Sequence, residues 1–172
     1  MGAERGKARD EARPVLQTIL GNWYWQCSRA NRYRFLQRTA TAQPLGDDFT
    51  TWDLPRLYRE IDLHFTNALA DGRPKTIPTT DFADLLTKPT LPEKYRPMLY
   101  DFIAHEALGF YSSGEFAAAK PEDAFEVRAS DPLLGPLDKF LASVPETTDT
   151  DSPQFKSVRL YSDVLRFHLA AA

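Results

Sequence analysis

His105 and Glu106 are the adjacent pair whose residue types most readily suggest chemistry. A His-Glu step opens the HExxH helix of zinc hydrolases, in which two histidines one turn apart chelate the metal and the glutamate acts as base. The second histidine would have to stand at position 109, and that residue is Gly109. With one ligand missing the motif is absent, and His105 is expected to be a partly buried ring holding a structural hydrogen bond. His64 and His168 lie far apart and have no ligand-like spacing. Cys27 is the sole cysteine, so neither an internal disulfide nor a thiolate zinc site is available. Its place on an apolar helical stripe makes an inert thiol the expectation. The chain has no GxSxG elbow and no glycine-rich phosphate loop. The expectation is therefore no catalytic, cofactor-binding or metal-ligating residue and no cofactor.

Arg29, Arg32, Arg34 and Arg38 alternate with Tyr33 and Phe35, a pattern that in a basic protein would suit phosphates and stacked bases. The formal charge is −3, and Asp47, Asp48, Glu60 and Asp62 follow close behind. Arginines on a helix then pair with carboxylates more readily than with nucleic acid, and no nucleic-acid partner is expected. The acid pairs Glu122/Asp123 and Asp149/Asp151 read as solvated loop residues or caps.

The 172 residues are 42% apolar and 26% charged, a balance that excludes wholesale disorder. Aromatic residues are frequent enough, at 12%, to carry the core. Met1 to Arg13 is charged throughout, with no apolar segment of the signal-peptide kind. No stretch approaches the roughly 18 apolar residues a membrane span requires. Taken at face value, such a chain stays in the cytoplasm where it is made.

The elements that must position these residues are helical. Pro14 is expected in the first turn of a helix reaching to about Arg38, with Leu16, Leu20, Trp23, Cys27 and Ala30 inward and Ile19, Tyr24 and Phe35 widening the stripe. Asp53 is expected to cap a second helix, with Pro55 in its first turn and Leu54, Leu57, Ile61, Phe65 and Leu69 on its core face. A short helix capped by Thr80 carries Phe82, Leu85 and Leu86. The best-patterned helix is expected over about 93–112, with Tyr95, Leu99, Phe102, Ile103, Phe110 and Tyr111 apolar and Pro97 in its first turns. Residues 124–127 fit either helix or extended chain. Asp131 is placed to cap a helix with Leu133, Leu137, Phe140 and Leu141 inward. Pro153 begins a last helix with Phe155, Val158, Tyr161, Leu165 and Leu169 on one stripe. The expectation is an all-α array of about five to six helices packed as antiparallel hairpins. It comprises a charged extension over 1–13, one helical domain over 14–169 and a tail over 170–172. A chain stopping so soon after a strong helix is what a truncated reading frame would give.

Several stretches carry a resemblance: Ile19 to Trp25 (ILGNWYW), Asn31 to Thr39 (NRYRFLQRT), Asp48 to Pro55 (DFTTWDLP), Tyr95 to Leu108 (YRPMLYDFIAHEAL) and Pro145 to Ser152 (PETTDTDS). Together they resemble the N-terminal helical region of bacterial α2-macroglobulin-like proteins, large extracellular protease inhibitors. The likeness implies a non-catalytic scaffold segment. In the family, inhibition is conformational trapping after cleavage of a bait segment. The Cys-x-Glu-Gln thioester motif is absent, because Cys27 is followed by Ser28, Arg29 and Ala30, and no bait region or β-sandwich is encoded. Implied partners are neighbouring domains of a parent chain and, through it, proteases, in an extracellular or periplasmic setting. A free-standing, tetratricopeptide-like interaction module is the alternative. The residues expected to anchor the packing are Trp23, Tyr24, Phe35, Trp52, Tyr100 and Phe102.

Overall fold

The computed structural model describes residues 2–36, 46, 48–86, 95–115, 125–143, 145 and 147–171, with side chains from residue 10 onward and that of Leu36 left aside. These residues form an all-α protein with six α-helices: α1 (Gly2–Ala30), α2 (Arg32–Leu36), α3 (Leu54–Ala70), α4 (Leu99–Ser112), α5 (Leu137–Ala142) and α6 (Pro153–Ala171). Short 3-10 turns occupy Phe49–Thr51, Arg73–Lys75, Thr79–Phe82 and Pro132–Leu134. The chain divides into two compact units, Met1–Ala107 and Leu108–Ala172. Residues 37–45, 87–94 and 116–124 lie outside the described set, and with them the predicted ends of three elements.

The first unit is built on the antiparallel pairing of α1 and α3. Val15 shares a cluster with Ala68, while Gly21 lies against His64 and Phe65, so ascending positions of α1 meet descending positions of α3. On α3 Leu54, Leu57, Ile61 and Phe65 of the expected stripe are buried, joined by Tyr58 and Ala68, while Leu69 is half-buried. Asp53 caps the helix, its carboxylate accepting from the Arg56 N–H at 2.8 Å, and Pro55 stands in the first turn.

On α1 the inward face differs from the expected one. Leu16, Leu20 and Trp23 are 53%, 37% and 65% exposed, and Ala30 is exposed too, so Trp23 is no packing anchor. The buried positions are Pro14, Val15, Thr18, Gly21 and Ser28. Thr18, Gly21 and Ser28 are small, and steric access decides the matter. An ideal Cβ at Gly21 would sit 3.4 Å from His64 Cβ and from the Phe65 ring. The narrow side of α1 thus admits the large side chains of α3, which a row of Leu, Leu and Trp would hold away. Pro14 is also not in the first turn but well inside α1. Glu, Arg, Lys and Ala favour helix over the preceding residues, so the proline removes one ladder bond without ending the helix. The stretch expected as an extension, 1–13, is therefore helical from Gly2.

Around this pair, Leu99 and Ile103 of α4 close a core with Val15 and Ala68, and Ile19, Leu69, Ile77, Phe82, Leu86 and Phe102 pack on it. α4 begins at Leu99, later than the predicted residue 93. The backbone of Pro97 to Leu99 is spoken for on the other side, since the Thr79 N–H donates to Pro97 O and the Leu99 N–H to Ile77 O. The buried Asp101 carboxylate then accepts from the Met98 N–H at 3.0 Å, ending the extended stretch and starting the helix. Tyr95, expected on the helix, stands outside it and is exposed. Of the remaining anchors, Phe35, Trp52 and Tyr100 are buried, and Tyr24 and Phe102 are half-buried.

In the second unit Phe125, Leu133 and Phe155 form a buried cluster, with Val127, Phe140 and Val158 against it, and Leu108, Phe110, Tyr111, Leu160 and Val164 are buried as well. Residues 125–128 are neither helix nor paired strand. Asp131 caps as expected, accepting from the Leu133 N–H at 2.9 Å, but only a 3-10 turn follows. Gly135 and Pro136 separate that turn from α5, and Leu137 is exposed as a result. Ser152 caps α6 through a bond from the Phe155 N–H. The buried face of α6 is Pro153, Phe155, Ser157, Leu160 and Val164, while Tyr161 and Leu169, expected inward, are exposed.

These burial differences set an expected contrast. Phe65→Ala should lower the unfolding free energy by about 3–5 kcal/mol, while Trp23→Ala should change it by about 0.5 kcal/mol or less. Urea denaturation of both variants checks the pair.

Candidate interaction face

The outward side of α1 carries Leu16, Leu20 and Trp23 at spacings of four and three, one continuous apolar seam on a helix whose other side is buried. Beyond it, Tyr33 on α2 is 73% exposed, and Arg13, just before Leu16, is exposed, as are Arg29, Arg32 and Arg34 further along the chain. Arg29 also leans over the Trp25 ring, 5.7 Å from its centroid.

Polar contacts on the partly buried flanks hold α1 in this rotation. His64 Nδ1 lies 2.5 Å from the side-chain oxygen of Gln17. A carboxamide oxygen only accepts, so the ring nitrogen carries the proton and donates. The other ring nitrogen, Nε2, is 3.8 Å from Glu60 Oε1. Tyr24 stacks on the His64 ring at 5.6 Å and meets Phe49 at 5.4 Å and Trp52 at 5.9 Å. On the α4 side, the Asn22 amide donates to Glu106 Oε2 at 2.8 Å. Each bond ties a residue of α1 to a different helix, so turning α1 to bury the apolar seam would break both.

Next to this cluster the Arg56 guanidinium lies 4.4 Å over the Trp52 ring, and both side chains donate to the carbonyl of Gly46. Gly46 has φ of 63°, a left-handed conformation that suits glycine. Asp48 caps the following turn through the Thr50 N–H at 2.9 Å.

The residues singled out for possible chemistry are not brought together. His105 Nδ1 donates to its own helix at Asp101 O, 2.7 Å away, and Glu106 is engaged by Asn22. His64 is tied to Gln17, and His168 lies edge-on to Phe167. Cys27 is partly buried beside a small hollow of about 140 Å³, with Asn31 donating to its carbonyl. Among the described residues no group of three His, Cys, Asp or Glu side chains is placed to hold a metal ion. No helix among them is long and apolar enough to cross a membrane. Sequence periodicity placed Leu16, Leu20 and Trp23 in the core and gave no weight to Gln17 and Asn22. The signal that would have found the true face is the row of small residues, Thr18, Gly21 and Ser28.

Burial holds the His64 imidazole below its ordinary value of 6.5, with Glu60 pulling weakly the other way. The native state therefore resists a proton that the unfolded chain accepts near 6.5. Stability tied to neutral His64 is complete above that pH and is lost as pH falls through the lowered native value. Between about pH 8 and pH 5 the wild-type melting temperature should fall more steeply than that of His64→Gln, whose side chain does not titrate there. Parallel curves for the two proteins would show that His64 has no part in the dependence. In comparisons with known proteins, the chain matches no protein-family model, no curated protein and no solved structure.

Proposed function

We propose that this chain is a non-catalytic helical scaffold whose work is to dock protein through the outward side of α1. The observation that carries the reading is the exposed Leu16–Leu20–Trp23 seam, held outward by the Gln17–His64 and Asn22–Glu106 bonds. A seam at alternating spacings of four and three matches the apolar edge of another amphipathic helix, and a central tryptophan is the kind of anchor that dominates such contacts.

The resemblance to bacterial α2-macroglobulin-like inhibitors supports a specific setting. There the docked partner is a neighbouring domain of the same long polypeptide, outside the cytoplasm, and protease trapping is carried out by parts not present in this chain. The second reading is a free-standing helical module that binds a separate protein. It is favoured by further exposed apolar side chains in the other unit, Leu134 and Leu137.

A photoreactive amino acid placed at position 23 in cells producing the protein tests the proposal, with position 139 as an exposed control. A discrete crosslink from position 23 is expected, absent from position 139 and abolished by Leu20→Glu. A crosslink that persists in Leu20→Glu, or equal products from both positions, would overturn the docking role. Crosslinked peptides from the same polypeptide would support the inhibitor setting, and peptides from another protein the free-standing module.

A further inference from the structure

The second unit contains a feature that the docking reading does not use. Between α5 and α6 lies a cleft of about 260 Å³, open to solvent. Its floor is apolar, formed by Leu133, Phe140, Phe155 and Val158. On its rim stand two guanidinium groups, Arg159 and Arg166, with the Ser162 hydroxyl and the Asp163 carboxylate. Arg166 is held in place, its Nε donating to Ser162 Oγ at 3.3 Å and another of its nitrogens to the carbonyl of Leu141 on α5. Arg159 lies against the Phe155 ring, 5.7 Å from the centroid. Asp163 is one turn from each arginine, yet neither forms an ion pair among the described residues. Among the described residues the rim thus keeps an excess of positive charge beside an apolar floor, with one arginine already fixed in orientation.

We infer that this cleft is a binding site for a small monocarboxylic acid with an apolar, preferably aromatic, body. The body would cover the floor and meet the Phe140 and Phe155 rings, and the carboxylate would take charge-assisted hydrogen bonds from Arg159 and from the Arg166 donors that no described residue engages. At about 30 Å³ for each water displaced, the cleft admits on the order of ten heavy atoms, the size of a phenylalkanoate. A dianion or a phosphate ester suits the rim less well, since Asp163 opposes a second negative charge.

Titration of the full chain with 4-phenylbutyrate, followed by amide chemical shifts in NMR, tests the site. Saturable shifts are expected at the residues lining the cleft. The neutral 4-phenylbutyramide should bind at least about tenfold more weakly, as should the acid to Arg159→Gln. Both arginines are exposed, so the variants should remain folded, and unchanged thermal unfolding would verify that. Equal affinity for the acid and its amide, equal affinity of the Arg159→Gln/Arg166→Gln double variant, or shifts that never saturate would overturn the inference. N-acetyl-glycyl-phenylalanine separates the source of the carboxylate. Weaker binding than phenylbutyrate supports a free small acid, and tighter binding overturns that assignment in favour of a peptide terminus. The outcome is independent of the α1 seam, which lies in the other unit.

Discussion

At Gly21 the first helix carries only a hydrogen where its neighbour presents His64 and Phe65, and most of the first unit depends on that close approach. A side chain larger than a methyl group there would push against Phe65, itself fully buried. Thr18 and Ser28 continue the narrow row, and both turn their hydroxyls back to their own helix, Thr18 to Pro14 O at 2.9 Å and Ser28 to Trp25 O at 2.6 Å. Those bonds satisfy polar groups that would otherwise be buried without partners, so the row can be polar in composition and still lie in the core. The large apolar volume comes from α3 and α4, and α1 supplies the space it fills.

The outward seam follows from that packing. A helix that buries its small residues necessarily turns its large ones the other way, and Leu16, Leu20 and Trp23 occupy that side. Leaving them in water forgoes on the order of 1.5–3 kcal/mol for each large apolar side chain compared with full burial. The packing with α3 and the cross-helix bonds of Gln17 and Asn22 outweigh it. Contiguous exposed apolar surface is a common property of interaction sites in folded proteins.

The second unit is organised differently. One of its clusters, Phe125, Leu133 and Phe155 with Phe140 and Val158 against it, lies under a cleft, and Arg159, Asp163 and Arg166 stand around the opening. Lys156 pairs with Asp151 at 3.5 Å, and among the described residues the arginines on the next turns of α6 form no ion pair. Exposed pairs of that kind contribute little to stability, so the distribution of charge bears on recognition more than on folding.

Much of the fold was legible in the chain itself. Asp53 with Pro55 and Asp131 with Pro132 are cap-and-turn pairs whose geometry is local, and both caps form as the sequence indicates. The stripe of α3 was legible because Leu54, Leu57, Ile61 and Phe65 on its core face are large and apolar, so hydrophobicity and burial coincide there. The same logic failed on α1 and α6, where apolar side chains occupy more than one face and periodicity alone has no unique answer. There the tertiary structure decided, through shape: small residues were buried because a partner's large ones needed room, and the remaining apolar side chains, Leu16, Leu20, Trp23, Tyr161 and Leu169, were left outside. The start of α4 was decided in the same non-local way, by the backbone bonds from the Thr79 N–H to Pro97 O and from the Leu99 N–H to Ile77 O, which no window around Pro97 could reveal. The sequence alone determined that the chain is helical and where its local caps stand. Which face of α1 meets water depended on three-dimensional packing, because burial is a property of pairs of surfaces and a sequence shows only one of them at a time.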